Sequence, residues 1–326
     1  MTTMRLFARL AAAIATFATI GATAQDFPAR PVTIVVPFSA GGPTDTIARI
    51  VAERMSRSLG QTVVVENVTG AGGSIGVGKV VRSPPDGYTV SIGHIGTHVI
   101  NGAVHQLTYD VRTDLEPVAM IATNPQIILS NNTVPATDLK SLIAWGRGKG
   151  SAVTSATGGP GTPAHVSGVY FQQQTGVPIE VIHYRGSGPG ILDVIAGHVS
   201  LGFEQAANAL PHIRAGKLRA YAVTSRARLA AAPDIPTVDE AGLPGFYMTV
   251  WHGLWVPKGT PPPVIGKLNT AVRETLADPS VQKRLFDLGQ EIPAADQQSP
   301  EVLRAFHMAE IEKWWPVIRK AGIKGE

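Results

Sequence analysis

Two short stretches carry glycines, small hydroxyls and a first-turn polar residue in the same arrangement. They are Pro37 to Asp45 ("PFSAGGPTD") and Gly158 to His165 ("GGPGTPAH"). Neither holds a lysine or arginine. Glycines let the backbone approach a ligand and turn successive N–H groups outward as an anion-binding nest. A helix starting directly behind adds the positive end of its dipole. That chemistry suits a carboxylate held by main-chain donors, with selectivity from shape and bridging water. In the first stretch Thr44 is the expected N-cap, with Pro43 just before it. Asp45 falls in the first turn and braces the loop; with a ligand that carries an amino group it becomes the counter-charge. In the second, Thr162 is the expected cap, Pro163 opens the helix and His165 lies in the first turn. A single Gly-Gly-Pro turn can be a turn and nothing more, but its duplication favours binding. A side chain at Gly42 is expected to intrude on the nest.

Other chemistries find less support. His94, His98 and His105 share one region, yet no His-Glu-x-x-His pattern or carboxylate cluster completes a metal set, so no metal is expected. "GAGGSIG" (Gly70 to Gly76) fails the dinucleotide fingerprint, because Ile75 stands where the third glycine belongs. No phosphate-binding Walker loop occurs, and none of the glycine loops is read as a nucleophile elbow; no cofactor is expected. The chain has no cysteine, which excludes disulfides, thiolate catalysis and thiolate metal sites. Its formal net charge is +4, without a basic run or aromatic-basic interleaving, so nucleic acid is not an expected partner.

The elements that must position these loops alternate between strand and helix. Val32 to Val36 is a continuous β-branched run, as in a strand buried on both faces. After the first loop, Ile47, Ile50, Val51 and Met55 recur at helical spacing, and Gly60 stops the helix. Val63 to Val65 and Tyr88 to Ile92 are further strands, giving parallel βαβ units. The same order returns with a strand at Val153 to Ser155, the second loop, a helix through Val166, Val169 and Tyr170, Gly176 as its stop, and a strand at Ile179 to His183. "RGSGPG" (185–190) then leads into another helix. Leu218 to Thr224 and Trp251 to Val256 read as strands, and Val264 to Leu276 and Pro300 to Ala321 as helices, the last kinked at Pro316. Two lobes on one plan follow: residues 25–124 and 226–326 form the first, discontinuous lobe, and 125–225 the second.

Met1 to Ala24 has Arg5 and Arg9, an apolar run and Ala22-Thr23-Ala24, the layout of a secretory signal peptide cut after Ala24. An exported chain without cysteine fits a bacterial periplasm.

The run from Phe27 to Gly76 resembles the N-terminus of the Bug family, the periplasmic solute-binding components of tripartite tricarboxylate transporters. The resemblance continues in "PPDGYTV" (84–90), "SATGGPGTPAH" (155–165), "IHYRGSGPGILDVIAGHVSLGF" (182–203), "APDIPTVDEAGLPGF" (232–246) and "WHGLWVPKGTPPPVIGKLN" (251–269), so it spans nearly all of the mature chain. It implies an α/β, two-lobed periplasmic-binding-protein fold of type II, each lobe a mostly parallel sheet flanked by helices, with the ligand cleft between them. It implies a monomeric, non-enzymatic protein that closes on a small organic carboxylate (a mono-, di- or tricarboxylate, an amino acid or an aromatic acid) and presents it to a membrane permease. The ligand residues carried over are Phe38, Ser39, Ala40, Gly41, Gly42, Pro43, Thr44 and Asp45 from the first loop. Ser155, Ala156, Gly158, Gly161, Thr162 and His165 come from the second, with Thr97, His98 and Glu204 also facing the cleft. Family members often have Asp where this chain has Glu204; the longer acid either favours ligands with an amino or hydroxyl group or with one end uncharged, or salt-bridges an arginine such as Arg185 across the cleft. The rival functions are a cofactor-free hydrolase or isomerase using the loops as an oxyanion hole, and a ligand sensor docking on a membrane receptor.

Overall fold

The computed structural model describes residues 27–320 and 322–324; the signal-peptide reading and the end of the last helix at Ala321 lie outside them. A nine-stranded sheet runs through the molecule in the order β2-β1-β3-β9-β4-β7-β5-β6, with β8 also on β4. The strands are β1 (Val32–Val36), β2 (Val63–Asn67), β3 (Thr89–His94), β4 (Leu115–Asn131), β5 (Val153–Thr157), β6 (Ile179–His183), β7 (Leu201–Gln205), β8 (Leu218–Val223) and β9 (Thr249–Pro257). β1 pairs in parallel with β2 and β3, and β5 in parallel with β6 and β7. The duplicated order of the sequence is therefore a duplicated topology, with each glycine loop leaving the central strand of its trio.

The helices are α1 (Pro43–Leu59), α2 (Ser74–Val81), α3 (Asn101–Val104), α4 (Leu139–Gly148), α5 (Pro163–Thr175), α6 (Ser187–Ala196), α7 (Ala206–Arg214), α8 (Pro262–Ala277), α9 (Pro279–Asp287) and α10 (Pro300–Lys320). α1 forms because Ile47, Ile50, Val51 and Met55 bury one stripe on the first-lobe core. Gly60, at φ 65°, terminates it in the left-handed region. Gly176, at φ 69°, ends α5 in the same way. α10 continues as one helix past Pro316.

β4 joins the lobes. Leu115 to Pro125 pairs with β9, whereas Gln126 to Asn131 pairs with β7 and β8. The second crossing is stitched beside it: Thr224 Oγ1 donates to Met248 O at 2.7 Å and accepts from Gln126 N at 2.9 Å. The sequence reading returns the chain to the first lobe at residue 226, but the structure keeps it with the second lobe as far as Phe246. Val238, Leu243 and Phe246 join one second-lobe core cluster, and Leu229 and Ile235 the other. Phe246 stacks on Tyr170 of α5 with ring centroids 5.1 Å apart. These anchors are scattered through a Pro/Gly-rich connection, so no periodicity announces them.

Candidate functional site

The two glycine loops face each other across the interlobe cleft, and the structure is closed. A methyl added at Gly186 would stand 2.5 Å from Ser39 Oγ on the opposite lobe, and one added at Gly72 2.5 Å from Pro160 O. The cavity left between them is about 30 Å³, room for roughly two waters, the bulk of one carboxylate group.

Both loops are braced by one device. Asp45, third residue of α1, accepts from Gly41 N at 2.9 Å; His165, third residue of α5, accepts through Nδ1 from Gly161 N at 3.1 Å. Asp45 is tied further by Arg49 and Asn67, and Asn67 Nδ2 also donates to Phe38 O. In this it acts as a loop brace. Thr44 is not the N-cap of α1. Gly42 occupies that position, because Pro43 takes the first helical place. The Thr44 hydroxyl instead meets His252 Nε2 at 3.2 Å. Thr162 does cap α5 by backbone conformation, but its hydroxyl donates back to Gly159 O. Neither helix has a side-chain cap, so the first-turn N–H groups of both are left for another acceptor.

From the first lobe Phe38, Ser39, Gly42, Pro43, Thr44 and His94 line the cavity. From the second come Gln126, Gly158, Thr162, Pro163, Ala164, Ser187, Phe203, Glu204 and Gln205. No lysine or arginine is among them. His94 stacks on Phe38 at 4.8 Å and accepts from Gly96 N through Nδ1, which leaves Nε2 as its N–H. Burial pushes its imidazole down to about 3, outweighing its own backbone hydrogen bond, so it is neutral. Gln126 is fixed by Phe203 O and by the Ser167 hydroxyl. Glu204 is 1% exposed and accepts from Asn208 Nδ2 at 2.9 Å through Oε2. Its partner is thus Asn208, and among the described residues it makes no ion pair with Arg185. Burial pushes its carboxyl up to about 8, outweighing the Asn208 amide and the nearby Ser187. Ser39 Oγ, Glu204 Oε1 and Gln205 Oε1 are buried without a hydrogen-bond partner.

The remaining residues named from sequence lie off the wall. Ala40, Gly41 and Asp45 border an outer depression with Arg49. Thr97 and His98 are fully buried behind His94: Thr97 Oγ1 bonds the His94 backbone, and His98 stacks on Trp255 at 3.8 Å. Ser155 and Ala156 belong to β5. Gly161 lies against Val104 and Asn101 of the first lobe, and His165 packs edge-on against His183 at 4.9 Å. Sequence reading missed His94, Gln126, Ser187, Phe203 and Gln205 as lining residues, whereas Pro163 and Ala164 fall within its second loop. Ser187 had a signal, its place in the glycine-rich "RGSGPG" turn; Gln126 had none, since β4 carries no motif. It also passed over Gly72-Gly73-Ser74-Ile75-Gly76, which has nucleophile-elbow spacing. Ser74 opens α2 after a short 3₁₀ turn, and no histidine hydrogen-bonds its hydroxyl among the described residues. No group of three or more His, Cys, Asp or Glu is placed to hold a metal there either.

Gly42 proves less restrictive than the sequence reading holds. Its φ is −77°, and an added Cβ would meet only Ser39 O, at the ordinary distance of 3.4 Å. Gly42→Ala is expected to lower stability by about 1 kcal/mol or less, seen as a Tm change of a few degrees at most.

Residues 47–323 match the family model described as the tripartite tricarboxylate transporter family receptor. The periplasmic binding protein BugD is similar in structure, with a TM-score of 0.87 and 38% identity over 92% of this chain and 100% of that one. MatC from Rhodopseudomonas palustris, solved with bound malate, gives 0.86 and 37% over 90% and 100%. R. palustris Rpa4515, solved with adipate, gives 0.87 and 35% over 92% and 100%. The chain therefore belongs to the tripartite tricarboxylate transporter receptor family, the Bug proteins, whose members are solute-binding receptors and not enzymes.

Proposed function

We propose that this protein is a periplasmic receptor that closes its two lobes on a small organic carboxylate and delivers it to the permease of a tripartite tricarboxylate-type transporter. The observation that carries the reading is electrostatic: two helix N-termini without side-chain caps converge on one buried cavity that has no cationic side chain. Main-chain donors and helix dipoles then supply the positive potential for one anionic group. Malate in MatC and adipate in Rpa4515 support the ligand class. The signal-peptide layout of residues 1–24 supports export.

Thermal denaturation of the mature protein with a panel of acetate, malate, adipate, amino acids, nucleotides and divalent metals tests this. A cognate carboxylate at 100 times its Kd adds about 2.7 kcal/mol, which raises Tm by roughly 5–10 °C in a chain of this size. A shift with a nucleotide or metal and none with any carboxylate would overturn the assignment.

A further inference from the structure

We infer that Glu204 is the cavity's proton donor: it stays protonated when the lobes close on an anion and gives its Oε1–H as a hydrogen bond to the ligand carboxylate. This deepens the carboxylate-binding reading above and rests on it.

The argument is one of charge in a closed space. Glu204 projects from β7, and its Oε2 is already satisfied by Asn208 of α7. Oε1 is buried, unpartnered and part of a carboxyl that lines the cavity. The neighbours packed around it are neutral. β4 offers Gln126, whose amide is engaged elsewhere, and α6 offers Ser187. The facing lobe offers Ser39, Thr44 and His94. His94 is uncharged, as is His252 behind Thr44, both through burial. Asp45 and Arg49 pair with each other on the far side of the first loop. Arg185 lies on the rim of a separate depression, with His183 and His105.

An ionised Glu204 would therefore share a cavity of about 30 Å³ with the ligand anion and no counter-cation. Two carboxylates in such proximity hold one proton between them. The helix N-termini stabilise the ligand's charge, and burial raises Glu204, so the proton resides on Glu204. A carboxylic acid donating to a carboxylate is a short, charge-assisted hydrogen bond. The arrangement also sets specificity: it selects an acceptor oxygen at this point and rejects an ammonium group, which would require Glu204 ionised.

The sign of the pH dependence follows. In the closed cavity burial pushes the Glu204 carboxyl up to about 8, and a ligand anion raises it further. Below that pH the closed cavity already holds the proton. Above it each binding event must take one proton from solvent, so affinity falls about tenfold per pH unit.

The test is titration of the mature protein with malate and adipate from pH 6 to 9.5, beside Glu204→Gln, with infrared difference spectra of the bound state. The parent should lose affinity above pH 8. Glu204→Gln, which keeps a donor but has no charge to gain, should show no such loss and bind more tightly than the parent at pH 9.5. The bound parent should show a protonated-carboxyl C=O band that the variant lacks. A pH-independent affinity in the parent, or absence of that band, would overturn this inference alone. No binding of either probe, with no shift from any other carboxylate, would overturn the carboxylate reading and this inference with it.

Discussion

Gly72→Ala is expected to weaken carboxylate binding about 100-fold while leaving the fold intact. Gly72 lies in the turn before α2 on the first lobe, and the atom its new Cβ would meet is Pro160 O of the second, at 2.5 Å. Both groups are backbone-fixed, so relief comes only by parting the lobes. His105 Nε2 at 3.2 Å and Asn101 Oδ1 at 3.3 Å close the other directions. If closure loses about 2.7 kcal/mol, affinity falls about 100-fold. Gly72 also has φ 60° and ψ 19°, a left-handed conformation that costs alanine about 1–2 kcal/mol in either state. Gly60→Ala separates the two effects. Its φ is +65° with nothing within 4 Å of an added Cβ, so it carries the strain without the clash. Both variants should show a similar Tm loss, and calorimetric titration should show an affinity loss in Gly72→Ala alone. Equal affinities in the two would refute closure as the binding step.

The crowding at Gly72 explains which parts of this molecule are legible in the sequence. The parallel trios are readable because β1 is a β-branched run, and both β1 and β5 lead into a glycine loop and a periodic helix, all local signals. The braces are half readable. Asp45 stands in a first turn where an acid is favourable, but that His165 does the same work through Nδ1 is a fact of ring placement. β4 escapes because its 17 residues pair with β9 along the first part and with β7 and β8 along the last, so neither alternation nor a single apolar run persists. Gln126 reaches the cavity only because the strand changes partners at that residue. Thr97 and His98 show the opposite failure. A polar pair after a strand suggests a binding loop, whereas a tight π-helical turn tucks both against Trp255 and His94. Which loops meet is written in topology; which side chains meet is decided by closure.

The second large effect concerns the brace itself. Asp45→Ala is expected to lower stability by about 2–3 kcal/mol, or roughly 5–10 °C in Tm, and to weaken carboxylate binding about tenfold. The Asp45 side chain is 3% exposed and takes four hydrogen bonds at 2.9 Å, from Gly41 N, from Nε and Nη2 of Arg49, and from Asn67 Nδ2. Alanine removes the acceptor of all four. Gly41 N and Asn67 carry most of the loss, because the Arg49 side chain is 52% exposed and regains water. The binding effect follows from connectivity: Asn67, once released, no longer fixes Phe38 O, and Phe38 and Ser39 form the cavity wall. The pH dependence checks the mechanism. Burial would raise the Asp45 carboxyl, but the hydrogen bonds from Arg49, Gly41 and Asn67 outweigh it and hold it below the ordinary value. A group with a depressed folded pKa stabilises above its unfolded pKa of about 4 and ceases to as pH falls through the folded one. The Tm gap between parent and Asp45→Ala should therefore stay constant from pH 8 to 5 and narrow only in stronger acid. His165 differs across the same window, because burial, then His183 and His105, push its imidazole down to about 4. It must stay neutral to accept from Gly161, so the second loop loses support from pH 6.5 downward, equally in parent and variant. A gap that begins to close near pH 6.5 would mean that Asp45 is not the charge holding the first loop.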